Sequence, residues 1–296
     1  MNMSGICLRS TVLAISLLTV LSACNMTVNG VNFGKLATAG QHLSQAGGID
    51  EKQEMQLGDE FAAMLLGASR LHPNPALQQY VNTVGTYLAT HSDRPELPWT
   101  FAVLDTPDLN AFAIPGGYVF ISSGLLANLS SEAELAAVLS HEIVHITERH
   151  HLREIERQNS VGLLSTIASV AAEYQQEHHS ERPSARAYQN RQIAENVLSA
   201  GHLLYTKGLG RDDELAADAM AVRLCARAGY DPYALAAVMQ QLDRIGSDSS
   251  ALSLLLATHP APAERLSQLE QQLNQLPAMA QPKLDLTGRF IAALQH

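Results

Sequence analysis

Residues 135–151 read LAAVLSHEIVHITERHH and contain the pattern HEXXH as His141, Glu142 and His145. On an α-helix, residues four apart lie one turn apart on the same face, so both imidazoles can point at one position. Glu142 lies about 100° around the helix from His141, so its carboxylate can flank that position without binding there. Two neutral imidazoles and a neighbouring carboxylate are what a catalytic zinc site with a general base requires.

The pattern specifies only three residues, so it also arises by chance, and two helical histidines are more often part of a solvated face. The surrounding sequence favours a buried site, because apolar residues fill most of the remaining positions: Leu135, Val138, Leu139, Ile143, Val144 and Ile146. Ser131 followed by Glu134 is a capping-box pattern that starts the helix. No Pro or Gly interrupts residues 131–157, so we expect one continuous helix over this segment.

A catalytic zinc ion usually has three protein ligands and one water, so a third ligand must be found. His151 lies ten residues after His141, as in the pattern HEXXHXXGXXH, but Glu148 occupies the position of the Gly. Because Glu is a good helix former, the helix is expected to continue and to direct His151 away from the metal. For the same reason we interpret His150 as a packing or surface histidine.

The other candidate for the third ligand is Glu214, in the sequence ELAAD. Asp218 lies four residues later and shares its helix face. Glu214 could bind zinc, while Asp218 accepts a hydrogen bond from the distal nitrogen of a zinc-bound histidine and fixes its tautomer. Alone, the pair would be interpreted as two ordinary helix acids; together with HEXXH on an apolar helix, it favours a metal site.

An edge strand near a cleft is predicted within residues 110–121, which read NAFAIPGGYVFI. Proline cannot donate to a sheet ladder, and two consecutive glycines favour a turn or bulge. A substrate peptide could pair with such a strand through its main chain, and the residues that would bind it are Asn110, Ala111, Phe112 and Ala113. A purely structural hairpin explains the same pattern equally well.

The first 24 residues have the features of an export signal. Residues 11–21 form an apolar run that is too short to span a bilayer, and Leu21-Ser22-Ala23-Cys24 follows. Small residues before a Cys resemble the bacterial lipobox, in which the Cys is lipidated; an ordinary secretory signal is the alternative. Asn25 after the Cys, by resemblance to bacterial lipoproteins, favours the outer over the inner membrane.

The composition limits the possible partners. The chain has 296 residues, 46% of them hydrophobic and 16% charged, with a net charge of −10. An acidic protein has no electrostatic basis for binding nucleic acid or anionic lipid through its surface.

With Cys7 and Cys24 assigned to the signal and anchor, Cys225 is alone in the mature body, so no intramolecular disulfide is expected. Its apolar helical surroundings predict a small core residue.

Together these motifs resemble the gluzincin metallopeptidases that include the CAAX prenyl protease and the Oma-type mitochondrial protease. HEXXH followed by EXXAD carries the resemblance, and further matching stretches are NAFAIPGGY at 110–118, AELAAVLSHEIVHITERH at 133–150 and THPAPAERL at 258–266. The resemblance implies a mainly α, α+β zincin-like fold, with helices around the HEXXH helix and a small sheet carrying an edge strand. We expect a lipoprotein signal peptide at 1–23, a tether at 24–48 and a zinc metalloprotease domain at 49–296.

The resemblance also implies roles for individual residues. One zinc ion per chain would be bound by His141, His145 and Glu214, with Glu142 as the general base. His259 and Arg265 become candidates for stabilising the oxyanion. His259 could instead lie on a loop that blocks the zinc and regulates access, or it could cap a C-terminal helix.

The expected function is therefore a zinc endopeptidase of the bacterial envelope that cleaves periplasmic or outer-membrane proteins, as in protein quality control. A lipid on Cys24 would hold it in the periplasm, at the outer membrane. The alternative is a chaperone-like binding factor whose zinc site is latent and covered, by the polar loop 177–187 and the His259 region.

Overall fold

The computed structural model describes residues 27–28, 31–32, 49–157, 209–246, 249–274 and 286–295. The predicted signal peptide, Cys24, most of the predicted tether and the predicted loop 177–187 lie outside these residues. The helices are α1 Glu51–Ala68, α2 Pro75–Ala89, α3 Ser123–Asn128, α4 Glu132–Thr147, α5 His150–Arg157, α6 Arg211–Arg227, α7 Ala234–Ile245, α8 Ser253–Thr258, α9 Pro262–Leu273 and α10 Thr287–Gln295. The strands are β1 Thr27–Val28, β2 Val31–Asn32, β3 Thr100–Leu104, β4 Ala111–Ile114 and β5 Tyr118–Ser122.

Helices predominate, as predicted, and the main sheet has only three strands, in the order β3–β5–β4. β5 runs parallel to β3 and antiparallel to β4. The β4–β5 hairpin turns at Gly116 and Gly117, whose φ angles of 85° and 106° lie in the region that favours glycine. β4 is therefore at an edge of the described sheet, and it packs against α4. The predicted edge strand is confirmed.

Helix α4 carries the HEXXH residues through the centre of the molecule. The Ser131 side chain accepts a hydrogen bond from the backbone nitrogen of Glu134 at 3.2 Å, which satisfies one free donor at the start of the helix. Every residue from Glu134 to Ile146 is buried. A helix that is buried on all sides must be surrounded by other elements, and α2, β4, α6 and α7 pack against it.

The predicted continuous helix is wrong at one point. α4 ends at Thr147 and α5 begins at His150. Between them, Arg149 has φ 55°, and it is the only non-glycine with positive φ among the described residues. Its guanidinium donates to the backbone oxygen of Ile49 and lies 3.4 Å from the carboxylate of Glu54. Contacts with a distant segment stabilise this break. The helix therefore ends without a Pro or Gly in the local sequence.

Helix α6, which contains the ELAAD sequence, packs along α4. Between the two helices, the thiol of Cys225 donates to the hydroxyl of Ser140 at 3.3 Å. Cys225 is 1% exposed, and burial raises the pKa of its thiol to about 12. It is therefore a core residue, as predicted. None of the described helices is long and apolar enough to span a membrane.

A buried carboxylate anchors the N-terminal end of α4. Glu132 is 1% exposed and accepts hydrogen bonds from the hydroxyls of Tyr80 and Tyr230, at 2.6 and 2.7 Å. Arg289 of α10 donates to the same carboxylate through Nε at 2.7 Å. The next residue, Phe290, is buried in the hydrophobic cluster that α4 shares with the surrounding helices. The C-terminal helix is thus tied to the start of the HEXXH helix.

Candidate metal centre

Three predicted ligands converge from two helices. His141 and His145 lie one turn apart on α4, and their Nε2 atoms are 2.9 Å from each other. Glu214, in the first turn of α6, places one oxygen 3.6 Å from Nε2 of His141 and the other 3.5 Å from Nε2 of His145. All three side chains are buried. The packing of α6 on α4 therefore brings the ELAAD glutamate to the HEXXH histidines.

A fourth side chain reaches the same point. His259 follows the last residue of α8, and its Nε2 lies 3.9 Å from carboxylate oxygens of both Glu142 and Glu214. The possible ligand atoms of His141, His145, Glu214 and His259 all lie within 4.8 Å of one another. His259 thus both caps a short helix and faces the site, so the sequence alternatives for this residue are not exclusive.

The surroundings of Glu214 fit a bound cation. The side chain is fully buried, and neither oxygen has a hydrogen-bond partner among the residues that the structure describes. Burial by itself would raise its pKa, but the charges of His259, His141 and Arg265 lower it to about 2, so the carboxylate is ionised. A buried carboxylate without donors is costly unless a positive charge compensates it. A set of imidazole and carboxylate ligands is suited to zinc.

Asp218 supports one of the ligands. Its Oδ1 lies 2.9 Å from Nδ1 of His141, on the side of the ring that faces away from the site. Arg265 donates to both oxygens of Asp218, from Nε at 2.9 Å and from Nη2 at 2.5 Å, and this bidentate pair fixes the carboxylate. Although burial opposes it, the Arg265 charge holds the pKa of Asp218 well below its usual range. Arg265 therefore orients Asp218 by direct hydrogen bonds. Its Nη2 also lies 3.2 Å from Nε2 of His141.

Glu142 lies beside the ligands and is 3% exposed. Burial raises its pKa to about 7; Glu214 adds to the rise, while His141, Arg265 and a hydrogen bond from the Ala113 backbone oppose it. A carboxyl group that titrates near neutrality is suited to general base catalysis. The bond from Ala113 also places the general-base candidate directly beside the edge strand β4.

The predicted peptide-binding residues lie along this edge. Asn110 is buried, and its backbone nitrogen donates to the hydroxyl of Ser122 at 3.0 Å. Ala111 lines a cleft together with His141, Glu142, His259 and Arg265, and the apolar part of the same wall comprises Leu125, Val138, Leu235, Val238, Met239, Leu242 and Leu255. Phe112 instead stacks on Phe120, with ring centroids 5.5 Å apart. That a substrate pairs with β4 stays a prediction.

Two histidines of α5 lie closer to the site than the sequence suggested. His150 is 2% exposed, and its Nδ1 lies 2.8 Å from Nδ1 of His145. His151 is also buried, with its ring centroid 5.4 Å from that of His145, but it lies outside the group of possible ligand atoms. The interpretation of His150 as an ordinary packing or surface residue missed this contact, because it assumed a helix without the break at Arg149.

Comparison with known proteins agrees with this geometry. Residues 75–273 match the model of peptidase family M48. The beta-barrel assembly-enhancing protease of Escherichia coli (strain K12) is 31% identical over 227 residues, which cover 77% of this chain and 45% of that protein. The mitochondrial metalloendopeptidase OMA1 of Schizosaccharomyces pombe is 27% identical over 194 residues, 66% of this chain and 52% of that protein.

A third relative has a similar length to this chain. Metalloprotease LoiP of Escherichia coli (strain K12) is 24% identical over 269 residues, which cover 90% of this chain and 97% of that protein. The chain spans about half the length of the two relatives described before it. Metalloproteases of family M48 use zinc, and the buried group of three histidines and a glutamate could hold one metal ion.

Proposed function

This chain belongs to peptidase family M48, and we propose that it is a zinc-dependent endopeptidase that cleaves proteins of the bacterial envelope. The observation that carries the proposal is Glu214, a buried and ionised carboxylate that faces Nε2 of His141 and His145 and has no hydrogen-bond donor among the described residues. Bound by His141, His145 and Glu214 alone, zinc would keep a coordination position for water or substrate, and such an open position distinguishes catalytic from structural zinc.

The chemistry follows from the residues around that point. Zinc would supply a coordinated water of lowered pKa and would polarise the scissile carbonyl. Glu142, with its pKa near neutrality, would take the proton of the attacking water and pass it to the leaving amine. Arg265 is held by Asp218 in the wall of the same cleft as His259. We assign these two side chains as donors to the developing oxyanion.

The cleft supports a peptide substrate. An extended chain could pair with the edge strand at Ala111–Ala113, which would place a peptide bond beside Glu142. The apolar side of the cleft, which includes Val138, Leu235 and Met239, would accept a large apolar side chain next to that bond. We therefore expect cleavage beside apolar residues, which are exposed mainly in unfolded or misassembled proteins.

Two observations support a location in the bacterial envelope. Two relatives with the name beta-barrel assembly-enhancing protease come from Escherichia coli (strain K12) and Yersinia pestis. The N-terminal sequence of this chain has the pattern of an exported protein, with Cys24 in a lipobox-like context. We propose that the protein acts in the periplasm, anchored to the outer membrane by a lipid on Cys24, and that it removes damaged envelope proteins.

The position of His259 favours a second candidate function. Its Nε2 lies 3.9 Å from carboxylate oxygens of both Glu142 and Glu214, so in this position the imidazole could exclude an attacking water or a substrate carbonyl from the space beside the general base. A protein with this residue in place would be a latent peptidase, and its envelope role could be to bind client proteins as a chaperone does. Opening of the site would then require His259 to move.

Substitution of the general base separates these functions. Glu142→Gln should retain one zinc per chain, because Glu142 is not a ligand, and it should lose casein cleavage by about 10²–10⁴-fold. Glu148→Gln, at the end of the same helix, is the matched control and should cleave normally. Casein cleavage by Glu142→Gln at the wild-type rate would disprove the peptidase mechanism. If Glu142→Gln rescued a deletion strain as well as wild type, the chaperone-like function would be preferred.

A further inference from the structure

We propose that His150 is a positioning residue that fixes the tautomer and the ring orientation of His145, and that Asp213 completes this support. The inference rests on the proposal that His145 binds zinc. Nε2 of His145 faces His141 and Glu214 at 2.9 and 3.5 Å, whereas Nδ1, on the opposite side of the ring, lies 2.8 Å from Nδ1 of His150. His145 thus has one nitrogen for the metal and one for a protein partner.

The two imidazoles determine each other's protonation. A neutral imidazole that binds a metal through Nε2 carries its proton on Nδ1. In His145, that proton points at Nδ1 of His150, which must therefore be the acceptor and carry its own proton on Nε2. Nε2 of His150 faces Oδ1 of Asp213 at 3.8 Å, and Arg153 donates to the same oxygen at 2.8 Å. The negative charge of Asp213 favours the tautomer of His150 that carries its proton on Nε2, and this tautomer leaves Nδ1 free to accept from His145.

The break in the helix creates this contact. On an uninterrupted α-helix, a residue five positions after His145 would lie about 140° around the axis and could not face it. The left-handed conformation of Arg149 ends α4 and turns the first residue of α5 back toward the site. A non-glycine residue in this conformation is uncommon and is maintained by its surroundings, here by Ile49 and Glu54. The fold therefore maintains an unfavourable backbone conformation at Arg149, the residue that directs His150 toward the site.

The two histidine ligands receive parallel support from α6. Asp218 contacts Nδ1 of His141 directly, and it is itself held by an arginine of α9. Asp213 reaches Nδ1 of His145 through His150, and it is itself held by an arginine of α5. Partners of this kind orient metal ligands, and their loss typically weakens metal binding or activity by about 10–100-fold.

The test measures zinc affinity in the full chain by competition with a chelator, together with the visible absorption spectrum of the Co²⁺-substituted protein. His150→Phe keeps the ring volume but removes the acceptor, so we expect zinc affinity to fall by about 10–100-fold and the Co²⁺ spectrum to change. His150→Asn places an amide oxygen near the position of Nδ1, so its affinity should stay within about threefold of wild type. Asp213→Asn should show a smaller loss than His150→Phe.

His151→Phe is the matched control, because His151 is the adjacent histidine, is also buried and packs its ring against that of His145 at 5.4 Å between centroids; a change of packing alone would affect both variants, and we expect the zinc affinity of His151→Phe to stay at the wild-type value. Wild-type affinity in His150→Phe, or equal losses in His150→Phe and His150→Asn, would overturn the proposal. So would an equal loss in His151→Phe. If His150→Phe does not fold, Asp213→Asn decides, and unchanged affinity there contradicts the proposal. Casein cleavage is scored separately, so tight zinc binding without cleavage would reject the proposed function while leaving the role of His150 intact.

Discussion

Glu132 and Glu214 are both buried glutamates. Glu132 is the first residue of α4 and Glu214 faces the HEXXH histidines of the same helix, yet their surroundings are opposite. Glu132, at the start of the helix, accepts hydrogen bonds from Tyr80, Tyr230 and Arg289. Glu214, beside the HEXXH turns, has no hydrogen-bond donor in the described part of the chain and faces imidazole nitrogens instead. A buried carboxylate that is fully hydrogen-bonded stabilises a fold, whereas one without donors among ring nitrogens marks a binding site.

Replacement of Glu214 should give the largest effect. Glu214→Gln removes a proposed metal ligand. Loss of a residue that only orients a ligand typically costs up to about 100-fold in metal affinity, so we expect a larger fall for this variant. Although burial opposes it, the charges of His259, His141 and Arg265 lower the pKa of Glu214; the same change therefore removes a favourable interaction, and the metal-free variant should be less stable than the metal-free wild type. Zinc content after dialysis and urea unfolding of the metal-free proteins measure the two quantities. Stoichiometric zinc in the variant would exclude Glu214 as a ligand.

The corresponding change at the other carboxylate should affect stability alone. Glu132→Ala leaves the hydroxyls of Tyr80 and Tyr230 without an acceptor, at about 1–3 kcal/mol for each buried donor. Arg289 is half-exposed and can be hydrated, so it should add little. Urea unfolding should show the loss, while zinc per folded chain stays at one. A variant with wild-type stability, or one that loses zinc while folded, would contradict the distinction between the two glutamates.

The smallest expected effect appears at alkaline pH. Burial and the hydrogen bond to Glu132 raise the pKa of Tyr230 well above its ordinary value of 10.0. The folded state therefore binds this proton more tightly than the unfolded state does. The resulting stability is fully present below pH 10 and is lost as the pH rises toward the folded-state pKa, by at most about 1.4 kcal/mol per pH unit for one group.

Tyr230→Phe should reduce this alkaline loss. The free energy of unfolding, measured with urea between pH 8 and 11, should fall less steeply in the variant than in wild type. Because no tyrosine is among the described residues that line the cleft at the candidate metal centre, the difference in pH slope reports on the Glu132 end of α4. Equal slopes in the two proteins would show that the hydroxyl of Tyr230 does not contribute as the structure indicates.

The sequence predicted those parts of the structure that depend on nearby residues. His141 and His145 are four residues apart on one helix, so their convergence follows from helix geometry alone. The β4–β5 hairpin was predicted from Pro115 and the glycines that follow it. The family resemblance, which was inferred from several ordered motifs, is confirmed by the match over residues 75–273.

Parts that depend on distant contacts could not be predicted from local pattern. The break at Arg149 is stabilised by residues about one hundred positions earlier, and nothing in the local sequence indicates it. Because the break was not predicted, the contact between His150 and His145 was not predicted either. The hydrogen bonds of Glu132 come from three separate segments, so no local sequence pattern indicates them. For His259, the sequence left several roles open, and the structure shows that this residue both caps α8 and faces the site.

The separation of the proposed ligands along the chain has a consequence for the order in which the site matures. His141 and His145 form a two-nitrogen chelator as soon as α4 is helical, whereas Glu214 arrives only after a long intervening segment has been synthesised and α6 has docked. We therefore expect a growing or partly folded chain to bind zinc weakly and, under the proposed peptidase mechanism, to leave neighbouring chains uncleaved. Conversely, a loosening of α6 from α4 is expected to release the metal before either helix melts, so zinc release would be an early sign of failing tertiary structure.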